Sequence, residues 1–339
     1  MSETLKFVQE KCKEKGVELV YLTKFGSHLY GTDTENSDTD YKGIFVPSKE
    51  QCYLGSTSSN IDLSSGDNKE KNTKEDVDIA LWSIQYFLKL VSKGETNALD
   101  LLYSPTNHSM IEYMDLRMCD VFANPDKLFD IKDCKAFVGY AIGQAKKYGI
   151  KGSRLGVIKR VYELIDRIIY NEQLDVKDLN GHKLDAYISI IKRRCYDKSF
   201  CFDKEINGVD SLVIAGKVHQ GNISLGDFSR RIEREYRKYG ERAKLAEENQ
   251  GIDWKAISHA VRALDQMKQL IVSGYISYPL ENAKHILDVK LGNQDFKVVS
   301  KYITETIEEI DSKLNDENFV GHNHKDSKFI KQLILNFYT

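Results

Sequence analysis

The sequence lacks the long apolar runs and the paired cysteines that mark two large classes of protein. No apolar run approaches the ~20 residues that a membrane-spanning helix needs, and the polar first three residues do not resemble a signal peptide. The six cysteines are scattered and form no Cys-x-x-Cys pair, which argues against a structural zinc site. We therefore expect a cytoplasmic protein with reduced thiols and no membrane partner.

A strong net charge is also missing, because 49 lysine and arginine residues are balanced by 51 aspartate and glutamate residues. This near-neutral total argues against broad, nonspecific binding of nucleic acids. The balance is uneven along the chain, with a net charge of −8 over residues 1–131 and +7 over residues 132–194. The acidic part suits a metal site built from carboxylates, and the basic part suits phosphate or nucleic-acid contact. Two segments of opposite charge can equally well pack against each other.

The 339 residues are enough for a full hydrophobic core and for two domains. Short apolar runs typical of strands dominate the first part of the chain, whereas apolar residues recur at helical spacing after Lys132. We predict an α+β protein whose first domain, 1–131, has a small mixed sheet with flanking helices. A mostly helical domain for a substrate or acceptor would follow over 132–339, with a small β insertion near 200–225. The last predicted helix covers 293–315.

The stretch between two predicted strands, residues 25–40, carries the side chains best suited to chemistry. Asp38 and Asp40 alternate along the second strand, so both should point to one face of the sheet. Adjacent carboxylates repel unless a cation lies between them, and hard ions such as Mg²⁺ prefer oxygen ligands. Gly26 and Ser27 offer backbone N–H groups and a hydroxyl near a turn or helix start, where phosphates bind. The alternative is an ordinary polar loop stabilised by Asx-turns.

The complete motif resembles the signature of the DNA polymerase β superfamily of nucleotidyltransferases, in which Gly-Ser precedes Asp-x-Asp by about ten residues. It is most similar to a branch of predicted bacterial and phage nucleotidyltransferases, some of them linked to RNA repair. The similarity is carried by Gly26-Ser27-x-x-Tyr30-Gly31-x-x-Thr34-x-x-Ser37-Asp38-x-Asp40-x-x-Gly43 with Pro47. Residues 84–103 and 254–292 also resemble parts of the family, although its usual Asn-Pro after Gly94 is replaced here by Glu95-Thr96-Asn97.

The resemblance implies a polymerase-β-like nucleotidyltransferase domain over 1–131 and specific roles for the motif. Asp38 and Asp40 would be catalytic and would hold two Mg²⁺ or Mn²⁺ ions. A nucleoside triphosphate such as ATP would be the substrate. The nucleotide-binding residues would be Gly26, Ser27, Tyr30 and Ser37.

The resemblance also implies a third carboxylate from a later strand, just before the helix that Ser83 would cap. Asp76 and Asp78 alternate on that strand and would share a face, so either can complete a cluster of three. The resemblance favours Asp78 as the third catalytic and metal-binding residue, with Asp76 as the alternative. An exposed, charged edge strand would show the same pattern. Residues 55–74 hold few apolar groups, which predicts a mobile loop beside the site.

Basic side chains in the helical part are the candidates for contact with substrate or phosphate. Arg154 and Lys159 lie around the start of one predicted helix. Another helix carries Lys255, His259 and Arg262 at i, i+4 and i+7, and it resembles the Lys-x-x-x-His-x-x-Arg helix of the family, which implies a substrate role. A solvated helix face is the commoner explanation for a single basic residue.

These features predict a nucleotidyltransferase that moves a nucleoside monophosphate from a nucleoside triphosphate to an acceptor hydroxyl and releases pyrophosphate. The resemblance suggests a tRNA or other RNA end as the acceptor, while a protein or a small molecule stays open. The alternative is a catalytically silent nucleotide-binding regulator, or a partner-binding protein on the same fold. Which nucleotide is used and the oligomeric state lie beyond the sequence.

Overall fold

The computed structural model describes residues 2–63, 77–145, 153–175, 178–196, 201–247 and 250–339, with side chains described outside 153–156 and 238–247. The chain forms two compact units. Unit 1 contains Met1–Ala141, Ser258–Asn293 and Glu308–Thr339, and unit 2 contains Ile142–Ile257 and Gln294–Ile307. The division into functional domains 1–131 and 132–339 stays a prediction, because it concerns activity as well as compactness.

The strands of the described residues form two sheets. In chain order they are β1 Val17–Lys24, β2 Thr39–Pro47, β3 Asn60–Asp62, β4 Val77–Ser83, β5 Ile111–Met114, β6 Cys201–Ile206, β7 Val209–Ile214 and β8 Lys217–Gln220. Unit 1 holds a five-stranded sheet in the order β3-β4-β2-β1-β5, in which β2 and β4 are parallel and the other neighbours are antiparallel. Unit 2 holds the antiparallel sheet β6-β7-β8.

Helices flank these sheets and make up most of the later part of the chain, so the predicted α+β class is confirmed. In chain order they are α1 Glu3–Glu14, α2 Gly26–Tyr30, α3 Lys49–Tyr53, α4 Ile84–Val91, α5 Thr96–Tyr103, α6 Cys119–Ala123, α7 Lys135–Ala145, α8 Ser153–Asn171, α9 Asp178–Gly181, α10 Asp185–Cys195, α11 Leu225–Glu247, α12 Trp254–Ser273, α13 Ala283–Lys290, α14 Phe296–Asn315 and α15 Ser327–Asn336. Across the described residues, none of these helices combines the length and the apolar character needed to cross a membrane.

The first helix shows how the sequence directs packing in unit 1. Leu5, Val8 and Cys12 recur at helical spacing on α1, and all three are buried in one apolar cluster with residues of the sheet. The chain leaves the helix at Gly16, whose φ of +65° is a left-handed conformation that glycine adopts without strain. The amphipathic face therefore fixes α1 on the sheet, and glycine allows the immediate turn into β1.

The sequence predicts some helix boundaries well and irregular segments poorly. The predicted cap at Ser83 is confirmed, because its hydroxyl accepts a hydrogen bond from the Tyr86 backbone N–H at 3.3 Å. Within the predicted loop 55–74, however, β3 pairs with β4 and buries Ile61, and residues 64–74 lie outside the described part. A further helix, α15, follows the predicted last helix and buries Leu333. In both places the element depends on neighbouring structure, the edge of β4 for β3 and the Asp326 cap with burial of Leu333 for α15.

Unit 2 has its own hydrophobic core, formed by α8, α10, α11 and the small sheet. Val157, Val161 and Ile165 recur on α8 and are buried in this cluster. Tyr162 of α8 stacks on Tyr236 of α11, with ring centroids 5.0 Å apart. The three strands lie inside 200–225, where the sequence suggests a β insertion.

A buried histidine in this core should make the stability of unit 2 depend on pH. His219 on β8 is 3% exposed, and neither ring nitrogen has a hydrogen-bond partner among the described residues. Burial, reinforced by the positive charges of Arg231 and Lys217, lowers its pKa to about 4. In the unfolded chain the pKa is ~6.5. Stability that is fully present above pH 6.5 should therefore be lost progressively as the pH falls towards 4, by up to ~3 kcal/mol.

Urea unfolding of wild type and His219→Leu between pH 7 and pH 4 tests this prediction. The free energy of unfolding of the wild type should fall more steeply than that of His219→Leu, which has no proton to gain. Replacement of the exposed His324 by leucine serves as the control and should leave the wild-type slope intact. Equal slopes in all three proteins would show that His219 is not the titrating group.

Candidate active site

Three carboxylates meet where the parallel strands β2 and β4 begin. Asp40 and Asp78 lie opposite each other in the parallel register, and Asp38 directly precedes β2. All three side chains are half-buried, and each offers a carboxylate oxygen within 4.8 Å of the others. The structure thus brings together the two carboxylates of the Asp-x-Asp pair and the favoured third one. Asp76, the alternative, lies outside the described residues.

The donor set of this cluster fits a hard divalent cation. Three negative charges at this separation repel one another by a few kcal/mol at an effective dielectric of ~20, and a bound cation would reverse that cost. Carboxylate oxygens are the ligands that Mg²⁺ and Mn²⁺ prefer, and the cluster contains no sulfur or imidazole donor. Among the described residues it is the one group of three or more potential ligands this close together. The triad can therefore bind a metal ion.

The Gly26–Ser27 segment lies directly against this cluster. Gly26 has a φ of +61°, and a Cβ added there would overlap a carboxylate oxygen of Asp40, so the close approach requires glycine. The backbone N–H of Phe25 donates to the carbonyl of Asp40 at 2.7 Å, which fixes the start of α2 beside β2. Phe25 provides no side-chain cap for α2. The start of this short helix thus lies next to the carboxylate of Asp40.

Ser37 organises the turn that leads into Asp38. Its hydroxyl accepts a hydrogen bond from the Thr34 backbone N–H at 2.9 Å, and its own N–H donates to the Thr34 carbonyl at 2.9 Å. These reciprocal bonds close the four residues into a compact turn. The hydroxyl that the resemblance assigns to nucleotide binding is therefore used in the structure to hold this turn. Its direct contact with a nucleotide stays a prediction.

A lysine that the sequence analysis does not single out lies on the same strand. Lys42 follows Asp40 by two positions, and its Nζ lies 4.6 Å from the Phe25 ring centroid and 4.3 Å from the Trp82 ring centroid. Burial lowers its pKa to about 8, an effect that the carboxylates of Asp100 and Asp40 partly oppose. Two aromatic faces thus hold a cation near the triad. The alternation that identifies the two aspartates also predicts the face of this lysine.

A buried polar network lies at the other end of α2 and centres on Asp100. Its Oδ2 accepts a hydrogen bond from the Tyr30 hydroxyl at 2.7 Å and from Arg262 Nη1 at 3.2 Å. Its Oδ1 accepts from Gln266 Nε2 and from the Tyr278 hydroxyl, both at 2.7 Å. The guanidinium of Arg262 also lies 4.2 Å from the Tyr30 ring centroid. Burial raises the pKa of both tyrosines well above the usual value, so both hydroxyls remain donors.

This network changes the interpretation of two predicted site residues. Tyr30 and Arg262 are each 6% exposed, and their polar groups face Asp100. Both were expected to contact nucleotide or substrate, which requires an accessible polar group. Their surroundings favour a positioning role for Tyr30 at the end of α2, and direct substrate contact stays untested. The sequence gives one signal for Asp100, an isolated acid among leucines in a helix that packs in the core.

The remaining basic candidates have varied surroundings. Lys159 is exposed and lies 3.9 Å from Glu163, Lys255 is exposed, and His259 is half-buried. The side chain of Arg154 lies outside the description. Their assignment to substrate binding stays a prediction.

Comparison with known proteins gives two matches. A family model described as RlaP, RNA repair pathway DNA polymerase beta family, matches residues 2–169. A protein of Enterobacteria phage T4, described as an uncharacterized 38.9 kDa protein in the nrdC-mobD intergenic region, is 33% identical over 320 residues. That alignment covers 91% of this chain and 93% of the phage protein. The family match includes the whole Gly26–Asp40 motif and Asp78.

Proposed function

Because this chain belongs to the RNA repair pathway DNA polymerase beta family, we propose that it is a metal-dependent nucleotidyltransferase. It would transfer a nucleoside monophosphate from a nucleoside triphosphate to an acceptor hydroxyl and release pyrophosphate. The observation that carries the proposal is the approach of Asp38, Asp40 and Asp78 within 4.8 Å, directly beside Gly26. This arrangement joins a cation site to a segment with backbone N–H groups suited to phosphate.

The residues of the site divide into two groups by what they would hold. The Gly26–Ser27 segment would bind phosphate oxygens through backbone N–H groups and the serine hydroxyl. Because Gly26 has no side chain, the backbone of this segment lies directly beside the Asp40 carboxylate. The three aspartates would together hold two divalent ions, Mg²⁺ or Mn²⁺, during the proposed reaction. Bound divalent ions would supply charge stabilisation for the phosphate oxygens.

The chain itself would orient the reactants and accept a proton. The acceptor oxygen attacks the α-phosphorus in line with the leaving group, so one O–P bond forms as the bond to the β-phosphate oxygen breaks and pyrophosphate departs. The carboxylate of Asp78 would take the proton from the acceptor hydroxyl. Lys42, held between Phe25 and Trp82, would add positive charge close to the phosphates.

An RNA end is the acceptor class we propose. The family is described as belonging to an RNA repair pathway, and residues 132–194 carry a net charge of +7 that suits a phosphate backbone. The alternative of a silent nucleotide-binding regulator is less well supported, because a regulator needs neither the complete triad nor the close approach of Gly26 to Asp40.

Transfer of label from each of four α-³²P nucleoside triphosphates tests the proposal. The protein is incubated with Mg²⁺ or Mn²⁺ and with RNA, protein or small-molecule fractions of a cell extract, beside the Asp38→Asn/Asp40→Asn double variant. We expect label in the RNA fraction with wild type only, and from one nucleotide above the others. Label in the protein or small-molecule fraction would support nucleotidyltransferase activity but show that the acceptor is not RNA. Folded wild-type protein that binds nucleotide with Mg²⁺ and labels no fraction would favour the regulator.

A further inference from the structure

Unit 2 carries a cleft lined by three arginines that the transfer chemistry above does not use. Arg160 and Arg167 lie on α8 and Arg194 lies in the last turn of α10, and they line an open cleft of about 430 Å³. Residues 160 and 167 are two helical turns apart, a rise of ~10 Å, and therefore lie on one side of α8. Leu164 and Ile168 also line this cleft, so it combines apolar surface with separated positive groups.

The charge of this cleft is not cancelled by its surroundings. All three arginines are exposed, and no ion pair is found for them within the part of the chain that the structure describes. Other basic residues nearby are paired, since Lys192 lies 2.8 Å from Asp203 and Lys159 lies 3.9 Å from Glu163. Glu163 is the one acid among the described lining residues, and Lys159 compensates its charge. Three guanidinium groups thus remain available to an anion.

Helix stability explains this arrangement only in part. Arg194 in the last turn of α10 interacts favourably with the negative end of the helix dipole. Arg160 and Arg167 lie inside α8, away from its C-terminal turn, so the dipole gives them no comparable benefit. Glu163 lies between them at i+3 and i−4, but it pairs with Lys159 and forms no ion pair with either arginine in the described part of the chain.

An exposed aromatic ring extends the site. Tyr170 follows Arg167 by three positions on α8, is 83% exposed, and lines an adjoining hollow together with Asp166 and Arg167. Guanidinium groups bind phosphate oxygens in bidentate pairs, and exposed aromatic rings stack on unpaired bases. Charges spread over ~10 Å match a chain of phosphates better than a single anion. The combination is typical of a surface that follows a single strand.

We infer that the arginine cleft, defined by Arg160, Arg167 and Arg194, binds the phosphodiester backbone of a single-stranded nucleic acid, with Tyr170 stacked on a base. The inference that the bound strand is the acceptor rests on the proposed function. The inference that the cleft binds a strand does not depend on transfer activity. It also explains how a chain of near-neutral total charge can hold a polyanion, because the positive charge is concentrated in one place.

Fluorescence anisotropy with a labelled single-stranded 20-mer tests the inference, using RNA and DNA of the same sequence. The full chain is titrated without nucleoside triphosphate or divalent metal, so that transfer plays no part. Arg160→Ala/Arg167→Ala/Arg194→Ala should bind at least ~10-fold more weakly than wild type. Each phosphate contact contributes ~0.7 to the slope of log K against log salt for single strands, so the slope should shrink by ~2.

The control variant Arg230→Ala/Arg234→Ala/Arg237→Ala removes the same number of charges from α11, where all three arginines are exposed. It should retain the affinity and the salt slope of the wild type. Tyr170→Ala should weaken binding ~5-fold and leave the salt slope unchanged, since stacking involves no phosphate charge. Circular dichroism melts of each variant establish that unit 2 is folded.

The outcomes separate the inference from the proposed function. Equal affinity for RNA and DNA would support recognition of the phosphate backbone alone, and tighter binding of RNA would support an added contact with the 2′-hydroxyl. Equal losses in the two triple variants, or no strand binding by the wild type, would overturn the inference. An enzyme inactive in the labelling assay that still binds through this cleft would refute the proposed transfer and leave the inference standing.

Discussion

Asp40→Asn and Asp78→Asn are each expected to lower the rate of nucleotide transfer by about 10³-fold while the protein stays folded. The two carboxylates lie opposite each other on β2 and β4, and their oxygens and one of Asp38 lie within 4.8 Å of one another. Two charges at that distance repel by ~3 kcal/mol at an effective dielectric of ~20, and by less where solvent screens them. Loss of one charge removes a metal ligand and relieves repulsion in the free protein.

The combination of lost activity and retained stability distinguishes this site from a structural carboxylate cluster. The labelling assay measures the activity, and thermal unfolding with and without Mg²⁺ measures stability and ion binding, because an ion raises the melting temperature more when it binds more tightly. Mg²⁺ should raise the melting temperature of the wild type, and most of this increase should be lost in both variants. Without Mg²⁺, the melting temperature of each variant should equal or exceed that of the wild type. Full transfer activity in either variant would contradict the assignment of the triad.

Asp33→Asn is the matched control for these variants. Asp33 belongs to the same segment between β1 and β2, its side chain is 44% exposed, and it lies 3.5 Å from Nδ1 of His28. The substitution is chemically identical but lies outside the triad. It should leave both the transfer rate and the Mg²⁺-dependent stabilisation close to wild type, so that a general loss of acidic charge can be separated from the loss of a ligand.

The carboxylate site could be predicted from the sequence because its chemistry follows local rules. The alternation of an extended chain predicts that Asp38 and Asp40 share a face, and the structure brings them together although Asp38 lies just before β2. Asp78 is different, since its position depends on β4 pairing with β2 in parallel register, and no local pattern specifies which strands become neighbours. Only the resemblance to known nucleotidyltransferases selected it over Asp76.

Features that depend on the tertiary environment could not be predicted from the sequence. Tyr30 lies within the motif and was expected at the nucleotide, yet its hydroxyl faces Asp100 from a helix 70 residues later in the chain. The strand β3 consists of Asn60, Ile61 and Asp62, two of which disfavour strands, and it exists because the edge of β4 offers hydrogen-bond partners and a place to bury Ile61. Propensity and composition describe single residues, whereas these positions are determined by what packs against them.

The buried network suggests how the fold fixes the two ends of α2. At its start, the Phe25 N–H is bonded to the carbonyl of Asp40 and Gly26 fits against the carboxylate. At its end, Tyr30 is bonded to Asp100. A helix of five residues has little stability of its own, so contacts at its two ends must determine its orientation. The orientation of the proposed phosphate-binding segment then depends on Asp100 as well as on the triad.

Asp100→Ala is accordingly expected to reduce the free energy of unfolding by ~4 kcal/mol, the largest loss of stability we predict. Asp100 is completely buried, and the Arg262 side chain beside it is 8% exposed. Removal of the carboxylate would leave the guanidinium without its counter-charge and would deprive Tyr30, Gln266 and Tyr278 of an acceptor. Urea unfolding measures the loss, with Glu95→Gln as the control because this exposed residue precedes the same helix and makes no capping bond.

Milder variants keep this prediction testable if Asp100→Ala fails to fold. Tyr30→Phe removes one of the donors to Asp100 and retains the ring under Arg262, so it should cost ~1–2 kcal/mol. Asp100→Leu combined with Arg262→Met should be more stable than either single variant, because a buried pair removed together leaves no unpaired charge.

If the network positions α2, Tyr30→Phe should raise KM for the nucleoside triphosphate more than it lowers kcat. A stable Asp100→Ala protein with unaltered KM would show that the carboxylate neither supports the fold nor orients the site.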